Sequence, residues 1–304
     1  MAGRSTLRER LAAGRFVVTA EITPPLSASA ADLLARAEPL RGLVDAVNVT
    51  DSPAARTAMS SFAASAILAG AGIEPVLQVT CRDRNRIAIA GDLLGAAAFG
   101  VTNLLVLTGD DPAGGDQPGA RPVFDLDSRG VMTLARSMRD DGALPSGRKV
   151  ATPPDFHIGC ADTPVDPPAD WRPDGLIAKI EAGAEFAQTQ FCFDLGLAER
   201  YFARLRDLGL TERLNILAGI GPIVSAASAR WMTDNLFGVT VPHAVIERLE
   251  AAPDQAAEGR AISLELIDGL ARIPGIAGVH VMAPQQPPAA IAEFLRASGV
   301  IAGR

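Results

Sequence analysis

The stretch TNLLVLTGDDP, residues 102–112, decides how the chain is read. Leu104, Leu105, Val106 and Leu107 form an unbroken apolar run, and Thr108-Gly109-Asp110-Asp111-Pro112 follows at once. A short apolar run closed by glycine and proline fits a strand buried on both faces, the kind a parallel sheet requires. Its sudden end in two carboxylates puts acids at the strand's C-terminal tip.

The same unit recurs along the chain. Strands are predicted over 16–21, 44–50, 74–80, 102–108, 156–160, 186–190, 214–219 and 277–282. Ala/Leu/Arg-rich helical patterns lie between them, near 30–41, 56–71, 84–99, 127–140, 173–183, 196–208, 224–236 and 257–272. This alternation predicts the α/β class with a parallel sheet. Eight similar units without a break favour a closed (β/α)8 TIM barrel over an open doubly wound sheet, as a single domain over residues 1–304. Two Gly/Pro-rich loops, 109–126 and 161–173, follow strands directly. In a barrel both fall on the C-terminal face, where active sites of this architecture sit; a flexible surface excursion is the plainer reading of either.

Composition narrows the function. Hydrophobic residues make up 48% and charged residues 21%, which suits a core-forming chain. The balance of 28 basic against 35 acidic residues, a net charge of −7, argues against nucleic-acid or membrane partners. The opening MAGRSTLRERLAAGRF is too charged for a signal peptide, and no apolar stretch approaches 18 residues. Cys81, Cys160 and Cys192 show no paired spacing, so a reducing, cytoplasmic setting is expected.

The polar strand tips are Glu21, Thr50, Asp51, Thr80, Cys81, Thr108, Asp110, Cys160, Gln190 and His280. Singly, each is as readily a helix cap or a solvated loop residue. A mouth that gathers Glu21, Asp51, Asp110 and Gln190 is a candidate active site. A metal is not expected: a zinc-thiolate site needs neighbouring cysteines, and the three histidines form no ligand pair. His157 is expected in a strand and His243 in a loop, both structural. Neither phosphate-loop nor dinucleotide fingerprints are present. CRDRNR (81–86) sets Arg82, Arg84 and Arg86 at a helix start, where arginines and backbone amides suit a pyrophosphate. The alternative there is a solvated helix start capped by Asp83.

Taken in order, AEITPP (20–25), NVT (48–50), QVTCRDRNR (78–86), LLVLTGDDP (104–112), PVFDLDS (122–128), KIEAGAEFAQTQFCFD (179–194) and LAGIGPI (217–223) resemble one family, the methylenetetrahydrofolate reductases. The resemblance runs from about residue 15 to residue 282 and is greatest to the short, single-barrel form, in its acetogen-like branch. It implies reduction of 5,10-methylenetetrahydrofolate to 5-methyltetrahydrofolate by NAD(P)H through a flavin, in two half-reactions at one site. By that resemblance Glu21 is the acid and Asp110 the carboxylate between flavin and folate, and Gln190 binds the folate. Asp111 is left to loop solvation. Thr50, Thr108, Asp110, Phe124, Asp127, Gly159, Cys160 and Lys179 match cofactor-lining positions; without the resemblance, Lys179 reads as a surface lysine.

Three departures bear on the cofactor. Gln78 and Thr108 stand where the enterobacterial-type enzyme has a histidine and an arginine, and GCADTPVDPP replaces a Tyr-Pro-Glu-x-His segment. Arg82 and Arg84 are the compensating cations the resemblance suggests. FAD is the favoured flavin, with FMN, or direct hydride transfer from nicotinamide to folate, as alternatives. A non-catalytic folate-binding barrel and a folate-linked methyltransferase barrel are readings from other classes. The first leaves Glu21 without a use, and the second lacks its cysteine pair. NADH versus NADPH, reaction direction and homo-oligomer formation stay open.

Overall fold

Aliphatic and β-branched runs build eight strands: β1 (Val17–Ile22), β2 (Ala46–Val49), β3 (Pro75–Thr80), β4 (Asn103–Leu107), β5 (His157–Asp162), β6 (Phe186–Phe191), β7 (Asn215–Ile220) and β8 (Ile276–Val281). Each pairs in parallel with the next, and β8 pairs with β1, so the sheet closes into the expected (β/α)8 barrel. The computed structural model describes residues 6–284 and 286–302.

Side-chain alternation along the strands sorts the core into two parts. Outward residues such as Val18, Val47, Val79, Val106 and Ile158 pack under the helices. Inward residues fill the barrel in layers. The lowest layer is apolar: Val17, Ala46, Val76, Leu105, Phe186 and Leu217 meet Leu7 and Leu11 of the helix Thr6–Ala12. Gly159 belongs to this packing, since a Cβ there would lie 2.3 Å from the Phe186 ring. Above it the lumen turns polar, with Thr19, Asn48, Gln188 and His280 all buried.

The eight predicted helical patterns all form helices, with shifted ends. The helix after β3, Arg86–Ala98, is capped by Asn85, which accepts from the Ile87 and Ala88 amides, both at 3.1 Å. Asp83, the cap in the alternative reading of this helix start, pairs with Arg82 instead. His243 does not lie in a loop: it opens a helix, His243–Ala251, between β7 and β8. The helix that follows β8, Pro288–Ala297, was hidden by its own start. Proline reads as loop punctuation, yet at a helix's first position its missing N–H costs nothing.

The long loop after β4 is tied down rather than free. Asp110 Oδ2 accepts from the Ala54 amide at 2.7 Å, and Asp116 accepts from the Thr57 amide and hydroxyl at 3.0 Å. Further on, the Val123 amide donates to the Arg82 carbonyl at 2.7 Å and Arg86 pairs with Asp125 at 2.8 Å. The segment that receives the loop is strained: Ser52, Ala54 and Ala55 all hold positive φ, between 51° and 53°. No helix among the described residues is long and apolar enough to cross a membrane.

Candidate active site at the C-terminal mouth

Glu21 points inward from the end of β1, its side chain 27% exposed. Gln78, inward on β3, donates Nε2–H to Glu21 Oε2 at 3.0 Å. His280 Nε2, from β8, lies 3.9 Å from the same oxygen. Below them the polar layer is hydrogen-bonded across the lumen. Thr19 Oγ1 is 2.9 Å from His280 Nδ1, and Gln188 Nε2 donates to Thr19 Oγ1 at 3.1 Å. Gln188 and Asn48 exchange a pair of amide bonds at 2.6 and 3.0 Å. Buried polar groups are tolerable when partnered, and this column lies directly beneath Glu21.

A cavity of about 690 Å³ opens beside Glu21, lined also by Thr23, Asp32, Arg36, Pro284 and Gln286. A neighbouring hollow of about 420 Å³, lined by Phe191, Val224, Trp231, Met232 and Met282, meets it at Pro284 and Gln286. Both have the size of small-molecule sites. Only the larger is lined by Glu21, which makes it the candidate site.

Gln190 sits at a break in register between β6 and β7, where pairing shifts between Gln188 and Phe191. Gly219 opposite makes room for this bulge, because a Cβ there would lie 2.3 Å from the Thr189 carbonyl oxygen. The Gln190 amide is engaged by the chain itself: Nε2 donates to the Phe237 carbonyl at 3.2 Å and Oε1 accepts from the Phe191 amide at 3.0 Å.

The other residues singled out in the sequence are dispersed around the mouth. Asp110 is exposed and shares no hydrogen bond with Glu21 or Gln190 among the described residues. Arg82 is buried and makes a two-pronged pair with Asp83, both bonds 2.7 Å, while also reaching the Ser52 and Asp110 carbonyls. Arg84 pairs with buried Asp51 and, at 3.1 Å, with Asp92. Lys179, half-buried, donates to the Ala161 carbonyl at 2.7 Å. Asp127 caps the helix Ser128–Arg136 through the Gly130 amide at 2.7 Å, which holds its carboxyl below the usual range. Phe124 has a φ of 42° and stands exposed on the loop, and Thr108 is exposed at the strand end. Cys160 faces away from the lumen into the outer core, where burial pushes its thiol up to about 12. Burial also raises Cys81 and Cys192 to about 11, so none of the three is a ready nucleophile.

Whether a flavin fits can be asked of these side chains. Thr50 Oγ1 is buried at the lip of β2 without a hydrogen-bond partner, which suits a polar ring edge. The diphosphate end fits less well, since both arginines expected for it are already committed to carboxylates. No group of His, Cys, Asp and Glu able to hold a metal occurs among the described residues. Sequence reasoning missed Gln78 and His280 as the partners of Glu21. The signal for Gln78 was its inward spacing between Val76 and Thr80.

Fold and site together define a parallel (β/α)8 barrel carrying an acid, set on a buried polar column, at its C-terminal mouth. The chain belongs to the methylenetetrahydrofolate reductase family, whose model matches residues 6–297. A probable methylenetetrahydrofolate reductase (NADPH) of Caenorhabditis elegans is 30% identical over 198 residues, 64% of this chain and 27% of that protein. Methylenetetrahydrofolate reductase 2 of Schizosaccharomyces pombe is 30% identical over 191 residues, 61% of this chain and 29% of that protein. The chain thus spans under a third of either relative. Among solved structures, a Clostridium thermocellum protein that binds two copies of 5-methyl-5,6,7,8-tetrahydrofolic acid superposes with a TM-score of 0.68 at 14% identity, covering 99% of this chain and 100% of that one. DmoA of Hyphomicrobium sulfonivorans superposes at 0.58 with 11% identity, over 93% of this chain and 86% of its own. Both likenesses are of fold.

Proposed function

We propose that the chain transfers hydride between NAD(P)H and 5,10-methylenetetrahydrofolate to give 5-methyltetrahydrofolate, with FAD the favoured carrier. Family membership supports the reaction class. The observation that carries the residue-level reading is Glu21, half-buried beside a cavity of about 690 Å³ and held on one oxygen by Gln78. The folate-binding neighbour supports the choice of ligand.

Opening the methylene bridge creates a cationic iminium at N5 and leaves N10 in need of a proton. Glu21 supplies it: the carboxyl O–H bond breaks, an N10–H bond forms, and the negative charge left on Glu21 is met by the Gln78 N–H. In the oxidative direction Glu21 takes the same proton back. Asp110 keeps Oδ1 for the ligand while Oδ2 holds Ala54, and its charge opposes the iminium cation. Gln190 exchanges the Phe237 carbonyl for the pterin edge, using an amide that can both donate and accept. A bound flavin would supply hydride-carrying chemistry, with Thr50, Thr108, Phe124, Asp127 and Lys179 as the residues that would hold it. Gly159, in the apolar floor under Phe186, and Cys160, facing the outer core, have their backbones paired into the sheet on both sides and stand apart from that set. The existing pairs of Arg82 and Arg84 support a different role for them, bracing the loops around the mouth.

Incubating the chain with 5,10-methylenetetrahydrofolate and NADH or NADPH, with FAD, FMN or no flavin added, tests this reading. Mass spectrometry should detect 5-methyltetrahydrofolate, and its flavin dependence assigns the carrier. No product in either direction under any of these conditions would reject the activity. Gln190→Ala should weaken methyltetrahydrofolate binding by about 2- to 13-fold in calorimetric titration, the loss of one hydrogen bond. Unchanged affinity would remove Gln190 from the folate site.

A further inference from the structure

Glu21 receives both of its neighbours on one oxygen. Gln78 Nε2 at 3.0 Å and His280 Nε2 at 3.9 Å both face Oε2. His280 is 3% exposed, too deep to meet a ligand itself. Its other ring nitrogen lies 2.9 Å from the Thr19 hydroxyl, which also receives Gln188 Nε2–H at 3.1 Å. With the Gln188 and Asn48 amides oriented as in their mutual bonds, Thr19 accepts from Gln188 and has its one O–H left to donate, for which His280 Nδ1 is the acceptor in reach. The ring proton then sits on Nε2, aimed at Glu21. The reverse tautomer would turn a lone pair toward an oxygen that already acts as an acceptor for Gln78.

We propose that His280 is a positioning residue for Glu21: its Nε2–H, fixed by Thr19, makes Oε2 the acceptor oxygen and leaves Oε1 to carry the proton that reaches the ligand. The inference rests on the reading of Glu21 as the acid. After the proton leaves Oε1, negative charge grows on Oε2, and a small approach brings the His280 N–H into hydrogen-bond range of it. The donor therefore interacts more strongly with the product of proton transfer than with its reactant, the condition for lowering the barrier. The charged side chains that share the Glu21 cavity are Asp32 and Arg36, from the helix Ala30–Ala37, and the facing titratable group is His280 itself.

Two measurements decide it. Long-range ¹H–¹⁵N spectra of ¹⁵N-histidine-labelled protein read the tautomers of the three histidines directly, with His280→Gln assigning the signal. His280 should be the neutral Nε2–H form, and Thr19→Val should turn it into a tautomer mixture. A predominant Nδ1–H form would overturn the proposal. In turnover, His280→Leu should slow methylenetetrahydrofolate reduction about 2- to 13-fold with methyltetrahydrofolate affinity unchanged, because the carboxylate loses a donor as its charge grows. His280→Gln, which supplies an amide N–H in place of the ring N–H, should restore most of the rate. An unchanged rate in a folded His280→Leu variant would also overturn the proposal. If Glu21→Gln itself turned over normally, the acid assignment would fall, while the tautomer spectra would still report on His280.

Discussion

Asp51 is a buried carboxylate with four donors: the Ser61 hydroxyl, the Thr80 amide, the Thr80 hydroxyl and Arg84. It ties the tip of β2 to the tip of β3 and to the start of the next helix, directly beside the Thr50 hydroxyl. Removing one member of a buried ion pair strands the other. Arg84→Ala should therefore lower the unfolding free energy by about 3 kcal/mol in urea titration, with or without added flavin. A stability within about 0.5 kcal/mol of the parent would mean that Ser61 and Thr80 satisfy Asp51 unaided. Asp110 lies in the loop beyond Leu107, the end of β4, whereas the sequence placed Glu21 and Gln190 correctly at the ends of β1 and β6 by period-two alternation, which can be read locally. It could not pair Glu21 with Gln78 and His280. Those residues lie on three different strands, and their meeting depends on closure and register.

At the scale of the element, β5 carries a histidine that must stay neutral. His157 packs against the Phe186 ring, centroids 4.6 Å apart, and its Nδ1 lies 3.2 Å from Asn103 Oδ1. Burial lowers its pKa from 6.5 to about 4, with Glu185, Arg8, Arg139 and Asp155 nearby as smaller influences. The unfolded chain thus binds this proton more readily than the folded one. The stabilising contribution is complete above pH 6.5 and is lost as pH falls toward 4, roughly 3 kcal/mol in all. Replacing His157 with Gln should flatten the dependence of unfolding free energy on pH across that window; an unchanged slope would place the titration elsewhere. The loop after β4 makes a second element-scale test. Asp116→Ala frees Thr57, so proteolysis within residues 109–126 should accelerate at unchanged global stability. Equal cleavage would show that the ties at Asp110, Val123 and Asp125 are enough. The eight strands and the eight predicted helical patterns were legible, whereas the caps and the helices His243–Ala251 and Pro288–Ala297 were not. Asn85 outcompeted Asp83 because Asp83 was taken by a neighbouring arginine, and Pro288 started a helix that its own residue type concealed.

For the whole molecule, the decisive feature is the division of the lumen into an apolar floor and a polar column. Leu7 and Leu11 close the floor together with Phe186 and Leu217, and the column rises through Thr19, Gln188 and His280 to Glu21. The barrel itself was legible, because eight strands alternate with helices from Val17 to Val281. The column was not, since Thr19, Asn48 and Gln188 look like ordinary polar residues in their own strands. Its purpose, in this account, is to present one carboxyl group at the mouth in a fixed orientation. The most direct test is Glu21→Gln, which keeps the shape and removes the transferable proton. Formation of 5-methyltetrahydrofolate should fall by about 10²- to 10⁴-fold, the usual contribution of a general acid, while methyltetrahydrofolate affinity stays within about threefold. A variant that forms product within tenfold of the parent rate would contradict the assignment of Glu21 as the acid.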